Sequence, residues 1–315
     1  MAILDKDATN YFRGIVKSGE KSQRVLELTE AIIRLNPAHY SAWYHLPFKD
    51  RTPQTDKPLL PPPKRQYRYE TIISLSPPLA PELALMDELA IKFLKTYQVW
   101  HYRRLLVTIT QKVNQELTFI QRGLEVDEKN YHTWSYRQWI LAHFGGTGKS
   151  TSDESQDVDN SLWNGELDFV DSMLIRDIRN NSAWHHRFFI VWGCGIREGE
   201  EDREHVLKRE LIYVKQSISF APNNASAWNY LRGILEHNSR PFSSVKDFVE
   251  PYTKPLLSSN RDIVDFENPP PTEGAELPVP AAIEFMADIW EKEGTKEGLD
   301  KASEVRSNFK LRPIS

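Results

Sequence analysis

Lys95, Lys129 and Arg179 each stand five residues ahead of a tryptophan, namely Trp100, Trp134 and Trp184. Tyr97 and Tyr131 stand three ahead of the first two, and His132 follows Tyr131 directly. Cations next to the first turn of a helix, where free N–H groups and the positive dipole end favour anions, could hold a phosphate or a carboxylate, with tyrosine and histidine as added donors. Polar residues also belong in any inter-helix turn, so the spacing alone leaves both readings open. Arg103, Arg137 and Arg187 repeat three residues after Trp; long cations there are expected to pack their stems and pair with carboxylates on neighbouring helices.

Other apparent chemistry is weaker. The string GGTGKST at 145–151 would be a phosphate loop only with Gly at position 143, which is His143, and no helix start follows it, so a loop is expected. His185 and His186 are adjacent and diverge on a helix, which disfavours a shared metal. Cys194 follows an apolar helix and reads as a buried structural thiol. Neither HExxH nor GxSxG is present. No metal site is expected in this chain.

The elements that position these residues follow from the tryptophans. Five similar blocks surround Trp43, Trp100, Trp134, Trp184 and Trp228, at steps of 57, 34, 50 and 44 residues. Each reads as the second helix of a hairpin, with Asn130, Asn180 and Asn224 as N-caps four residues before Trp. An amphipathic stretch precedes each block, at 22–35, 82–94, 115–126, 161–178 and 203–220; Leu117, Ile120 and Leu124 show the steps of three and four. Hairpins of this kind stack into a right-handed α-α solenoid. The expectation is an all-α single domain over 1–315, with irregular inserts at 49–66, 145–160 and 258–280 and two closing helices at 281–293 and 295–309.

Composition narrows the class. Among 315 residues there is one Cys, which excludes a disulfide scaffold and multi-cysteine zinc sites and suits a reducing compartment. Fourteen Gly disfavour an all-β fold rich in tight turns. A net charge of −4 gives no basic footprint for nucleic acid. No apolar run of membrane-spanning length, signal peptide or lipidation signal is read.

The blocks KTYQVWHYRR, KNYHTWSYRQW and RNNSAWHHRFF resemble the repeats of the prenyltransferase α subunit, Asn-Tyr-x-x-Trp-x-x-Arg, over roughly residues 20–240. The likeness is to the α subunit shared by protein farnesyltransferase and protein geranylgeranyltransferase type I. It implies a crescent of helical hairpins that wraps a β subunit in the cytoplasm. The partner would carry the catalytic zinc and most of the isoprenoid pocket, with magnesium as an aid to diphosphate departure. The implied reaction moves a farnesyl or geranylgeranyl group from its diphosphate to the cysteine of a C-terminal CaaX sequence. By the same resemblance, Lys95 contacts the diphosphate, Tyr97 lies near the reacting end, and Gln98 takes the peptide carboxylate. Asn130, Tyr131 and His132 match a second segment at the diphosphate, with Lys95, Tyr97 and His132 as the implied catalytic set. A fixed ammonium there would stabilise the leaving diphosphate most in the transition state. Departures are Leu46-Pro47 where Arg is expected and Thr96 in place of Asn, where Thr is also a capping residue.

Two other readings compete. A non-catalytic tetratricopeptide-like scaffold would want Leu-Gly after Trp, whereas three blocks carry Arg there. The α subunit of the Rab geranylgeranyltransferase is disfavoured by the YQVWHYRR and KNYHTW blocks and by a length that leaves no room for an extra domain.

Overall fold

The computed structural model describes residues 2–43, 67–146, 160–193, 202–255 and 265–309. The insert at 49–66, Leu46-Pro47, the Gly148-Lys149-Ser150 string, Cys194 and residues 258–264 of the last insert lie outside the described residues. Among the described residues all regular structure is helical: α1 (Ala2–Ser18), α2 (Gln23–Leu35), α3 (Tyr40–Trp43), α4 (Tyr67–Leu75), α5 (Ala80–Lys92), α6 (Tyr97–Thr110), α7 (Glu116–Val126), α8 (Tyr131–Phe144), α9 (Glu166–Arg176), α10 (Asn181–Phe188), α11 (Arg203–Phe220), α12 (Ala225–His237), α13 (Lys246–Val249), α14 (Pro280–Glu293) and α15 (Lys296–Phe309). The all-α class and the hairpin order α2/α3, α5/α6, α7/α8, α9/α10 and α11/α12 are those expected. Two compact units form, Met1–Ile140 and Leu141–Ser315.

One interaction recurs in every hairpin. The indole N–H of the block tryptophan donates to the backbone carbonyl six residues earlier: Trp43 to Pro37 at 2.8 Å, Trp100 to Leu94 at 2.8 Å, Trp134 to Glu128 at 2.8 Å, Trp184 to Ile178 at 2.7 Å and Trp228 to Pro222 at 2.8 Å. Each acceptor lies two residues past the end of the first helix, where the chain is turning and its carbonyls have no helical partner. The ring thus buries a large apolar area while its one polar atom satisfies the turn. All five tryptophans are buried, none more than 4% exposed.

A second recurring device joins successive hairpins. In the first unit, Arg103 on α6 forks onto Glu116 of α7 through Nε and Nη2 at 2.9 and 2.8 Å, and Tyr136 of α8 donates its hydroxyl to the same carboxylate at 2.8 Å. The guanidinium also lies 3.6 Å from the centroid of the Phe119 ring. In the second unit, Arg187 forks onto Glu210 at 2.7 and 3.0 Å, Tyr230 donates to Glu210 at 2.7 Å, and the Tyr213 ring lies 3.6 Å from the guanidinium. These are the carboxylates that the Arg register required. Burial is the largest single influence on Arg103 and lowers its pKa, but the charge and hydrogen bonds of Glu116 together with Tyr136 and Asp87 outweigh it and the net shift is upward. Burial likewise pushes the phenols of Tyr102, Tyr136 and Tyr230 well up, so each stays a donor. Arg137 is buried and donates to the Leu117 carbonyl at 3.4 Å.

The first block departs in an informative way. It has no Arg three residues after Trp43, yet the triad is present: Arg68, on α4 beyond the insert, forks onto Glu82 at 2.6 and 2.8 Å, and Tyr102 donates to Glu82 at 2.8 Å. The insert therefore interrupts the repeat between its Trp and its Arg, and α4 restores the missing half-helix. In the fourth block His186 stands in the tyrosine place, 3.1 Å from Glu166 and, like the tyrosines, 20 residues after its acid. His185 is exposed, so the two histidines diverge as expected.

Three further differences have local causes. The helix expected over 161–178 is broken at Gly165, whose φ of +77° suits glycine, so a 3-10 turn at Asn160–Trp163 precedes α9. Helix α10 passes into a π-helical turn at Phe189–Gly193. Helices α1 and α4 and the short helical run Phe242–Thr253 lie outside the Trp register and were not expected. The closing helices appear as α14 and α15, joined through Arg306, which bonds Asp288 at 2.7 Å.

Arg103→Met should destabilise the chain by about 3–5 kcal/mol, because Glu116 is left buried and charged. Replacing Glu116 by Leu in the same chain should recover much of that loss. Urea unfolding of the single and double variants checks both, and equal losses in the two would discount the buried charge as the cause.

Candidate functional site

The indole bond also sets the frame for the chemistry. Between the acceptor carbonyl at Trp−6 and the ring lie five residues, so Lys95-Thr96-Tyr97-Gln98-Val99 and Lys129-Asn130-Tyr131-His132-Thr133 each sit in a loop closed by that bond. The first two residues of each loop form the turn, and the other three begin α6 or α8.

Within the second of these loops Asn130 is 3% exposed, and its side-chain oxygen accepts from Thr133 N and Oγ1, both at 3.1 Å. It is the expected N-cap. Asn180 and Asn224 act alike, accepting from Ser182 N at 3.0 Å and Ser226 N at 3.2 Å. Thr96 occupies the same place before α6 but makes no side-chain cap bond, so the capping expected of it is not realised. Close approach of α7 to α8 is permitted by Gly123: a Cβ there would sit 3.2 Å from Thr133 Cγ2.

The two loops meet. Lys95, with a side chain 85% exposed, reaches within 3.9 Å of Asp127 in the next turn. The Tyr97 ring lies 6.4 Å from the His132 ring, edge to face, and His132 in turn lies 5.6 Å from Tyr131. Tyr97 and Tyr131 are exposed, at 58% and 76%, which leaves two phenols on the surface. Gln98 is half-buried, and its amide makes no hydrogen bond among the described residues. The structure therefore brings Tyr97, Tyr131 and His132 together, with Lys95 against the turn before α8, on one face of the first unit; no contact joins Gln98 to them among the described residues. Asn130 lies beneath, with its side-chain oxygen occupied by the cap.

Two residues of this face were not singled out from the sequence. His101 stacks on Tyr97 with ring centroids 5.8 Å apart. Arg104 donates from Nη2 to the Ser135 carbonyl and to Ser135 Oγ, both at 3.2 Å, and its guanidinium lies 5.3 Å from the Trp139 ring. The signal was available: positions 97, 101 and 104 follow steps of four and three and share one helix face. Burial, with a smaller contribution from the Arg104 charge, holds both His101 and His132 below the ordinary histidine value. Near neutrality both rings are uncharged, able to donate through one nitrogen and accept through the other.

Among the described residues no group of three or more His, Cys, Asp or Glu is placed to hold a metal ion. No helix is long and apolar enough to cross a membrane.

Five segments of the chain, residues 22–48, 79–110, 113–144, 163–193 and 207–238, match the protein prenyltransferase alpha subunit repeat. The chain belongs to this family. It is similar to the protein farnesyltransferase/geranylgeranyltransferase type-1 subunit alpha of Dictyostelium discoideum, 34% identical over 253 residues, which are 73% of this chain and 61% of that one. The Candida albicans subunit of the same name is 29% identical over 305 residues, 94% of this chain and 83% of that one. The geranylgeranyl transferase type-2 subunit alpha of Mus musculus is 29% identical over 234 residues. Those residues are 70% of this chain but 35% of the mouse subunit, so the chain spans only about a third of that relative. Among solved structures, Candida albicans protein geranylgeranyltransferase-I complexed with GGPP matches with a TM-score of 0.68 and 27% identity, over 97% of this chain and 87% of the matched one.

The prenyltransferase repeats give the caps different weights. Asn130→Ala should cost about 1 kcal/mol, because a first-turn N–H loses its partner, whereas Thr96→Ala should cost only a few tenths. Equal shifts in the urea midpoint for the two variants would contradict the capping geometry.

Proposed function

We propose that the chain is the α subunit of a heterodimeric CaaX protein prenyltransferase, working in the cytoplasm. It would help move a farnesyl or geranylgeranyl group from its diphosphate to the cysteine of a C-terminal CaaX sequence. The observation that carries this reading is the convergence of Lys95, Tyr97, Tyr131 and His132 on one face, in the two blocks where the repeats resemble the family's site segments. The relatives matched over most of their own length, 61% and 83%, bear the name of the type-1 subunit, whereas the type-2 subunit is matched over 35% of its length, which favours the CaaX reading over the Rab-directed one.

Each side chain then has a task within its geometry. Lys95, exposed and only loosely held by Asp127, is free to turn its ammonium to the diphosphate. It would stabilise the charge that grows there as the C–O bond breaks. Tyr131 and the neutral His132 would donate to diphosphate oxygens as they take up charge, and Tyr97 would stand near the reacting end and the peptide. Gln98 would donate its amide to the peptide's terminal carboxylate, a group that needs directed N–H donors for recognition. Asn130 would act through its cap, fixing the first turn of α8 and with it Tyr131 and His132. A zinc ion, which lowers the pKa of a bound thiol and makes it a nucleophile, belongs in this reading to the β subunit, with magnesium assisting diphosphate departure.

The chain by itself should show no prenyl transfer even when supplied with zinc and magnesium. Turnover by the lone chain would sink the proposal. In the complex with a β subunit, Lys95→Ala should slow single-turnover transfer about tenfold or more, in the range expected for one lost contact to developing negative charge. An unchanged single-turnover rate would remove Lys95 from the mechanism.

A further inference from the structure

Arg103 and Arg104 are neighbours in sequence with opposite surroundings. Arg103 points inward and is neutralised by Glu116 and by Asp87, which it meets at 2.5 Å. Arg104 points to the site face, is half-buried, and has no carboxylate within ion-pair distance among the described residues. Its partners are the Ser135 carbonyl and hydroxyl on α8 and the faces of Trp139 and Tyr136, at 5.3 and 6.0 Å. A guanidinium removed in part from water and left without an acid is uncommon, because a partly desolvated charge normally finds a counter-ion. The acids close to this face are elsewhere engaged: Asp127 faces Lys95 and accepts from Lys129 N at 3.2 Å.

We propose that Arg104 is a positioning residue for the anion end of this site. It ties α6 to α8 through Ser135 beneath Tyr97, His101, Tyr131 and His132, and supplies a fixed positive charge whose counter-ion is the bound diphosphate. This rests on the reading of the face as a prenyl diphosphate site and adds a cation to it that no motif position indicated. The titratable groups interacting with Arg104 are Tyr97 and His101 from α6 and Tyr131, His132 and Tyr136 from α8. Its charge acts on the tyrosines and disfavours protonation of both histidines. Neutral histidines add no further positive charge beside the guanidinium.

The test uses the full chain in complex with its β subunit, histidines labelled for NMR and inorganic pyrophosphate as the probe. Arg104→Gln should weaken pyrophosphate binding about tenfold, the scale of one charge-assisted contact. It should also move the His101 and His132 titration midpoints up toward the ordinary histidine value. A merely structural role would leave those midpoints in place, and either quantity unchanged in a folded Arg104→Gln complex overturns the proposal. Should that variant not fold, Arg104→Lys decides: retaining the charge, it should keep the low midpoints and most of the affinity, and loss of either overturns it. Lys95→Ala serves as the control. If it alters donor binding or transfer while Arg104→Gln does not, only the assignment of Arg104 falls; if neither variant has an effect, the diphosphate reading of the face falls with it.

Discussion

The bond from each tryptophan indole to the carbonyl six residues earlier is the constraint on which the rest depends. A two-helix repeat has one weak point, the turn, where the first helix leaves carbonyls unpaired and the second helix is not yet under way. A buried ring placed one turn into the second helix covers that point, and its N–H removes one of the unpaired carbonyls. Trp offers both a large buried face and a directed N–H donor. The bond also closes a short loop, so the side chains at its mouth are held by the same contact that holds the hairpin. Lys95, Tyr97, Tyr131 and His132 therefore need no support of their own in the turn.

The buried Arg–Glu–Tyr triads act at the next level, between hairpins. Each takes a cation from one repeat, a carboxylate from the first helix of the next and a phenol from its second helix. Such a network is costly to desolvate and strong once complete, so it contributes register more than net stability. A one-residue slip of α7 would move Glu116 away from both Arg103 and Tyr136 and leave buried charge unpaired. Fixed register is what lets α6 and α8 present Tyr97 and His132 at a defined separation. Arg103 and Arg104 divide this labour, since adjacent helix positions diverge: one arginine is spent on register and the next faces the site.

Periodicity and the Trp anchors made the hairpins legible, because amphipathic steps and Asn caps are local signals; Asn130, Asn180 and Asn224 all cap where spacing required it. Arg68 shows where locality ends. It lies beyond an insert, 25 residues after Trp43, and only packing against Glu82 and Tyr102 reveals that it completes the first repeat. Thr96 shows the reverse error: a residue type fit to cap that makes no cap, because position alone does not fix a hydroxyl rotamer. The candidate site face was half legible. Lys95, Tyr97, Tyr131 and His132 lie in the motif itself, whereas His101 and Arg104 were hidden behind the Arg103 register, although the helical step from Tyr97 points to both.

Comparison of the five closed loops within this one chain separates frame from function. Three residues before Trp the chain carries Tyr40, Tyr97, Tyr131, Asn181 and Ala225; two before it, Ser41, Gln98, His132, Ser182 and Ser226. The indole bond is present in all five, so the frame makes no demand on these positions. Where small polar residues occupy the loop, as in the fourth and fifth, the side-chain bonds formed are those of the cap. Where tyrosine, glutamine and histidine occupy it, as in the second and third, the two tyrosines stand exposed with no task in holding the turn. Exposed aromatic area is unfavourable in water and gains nothing for a frame that is already closed. Its presence in two consecutive loops, together with a half-buried arginine lacking an acid beside them, is what sets the candidate face apart from the cap-only fourth and fifth loops.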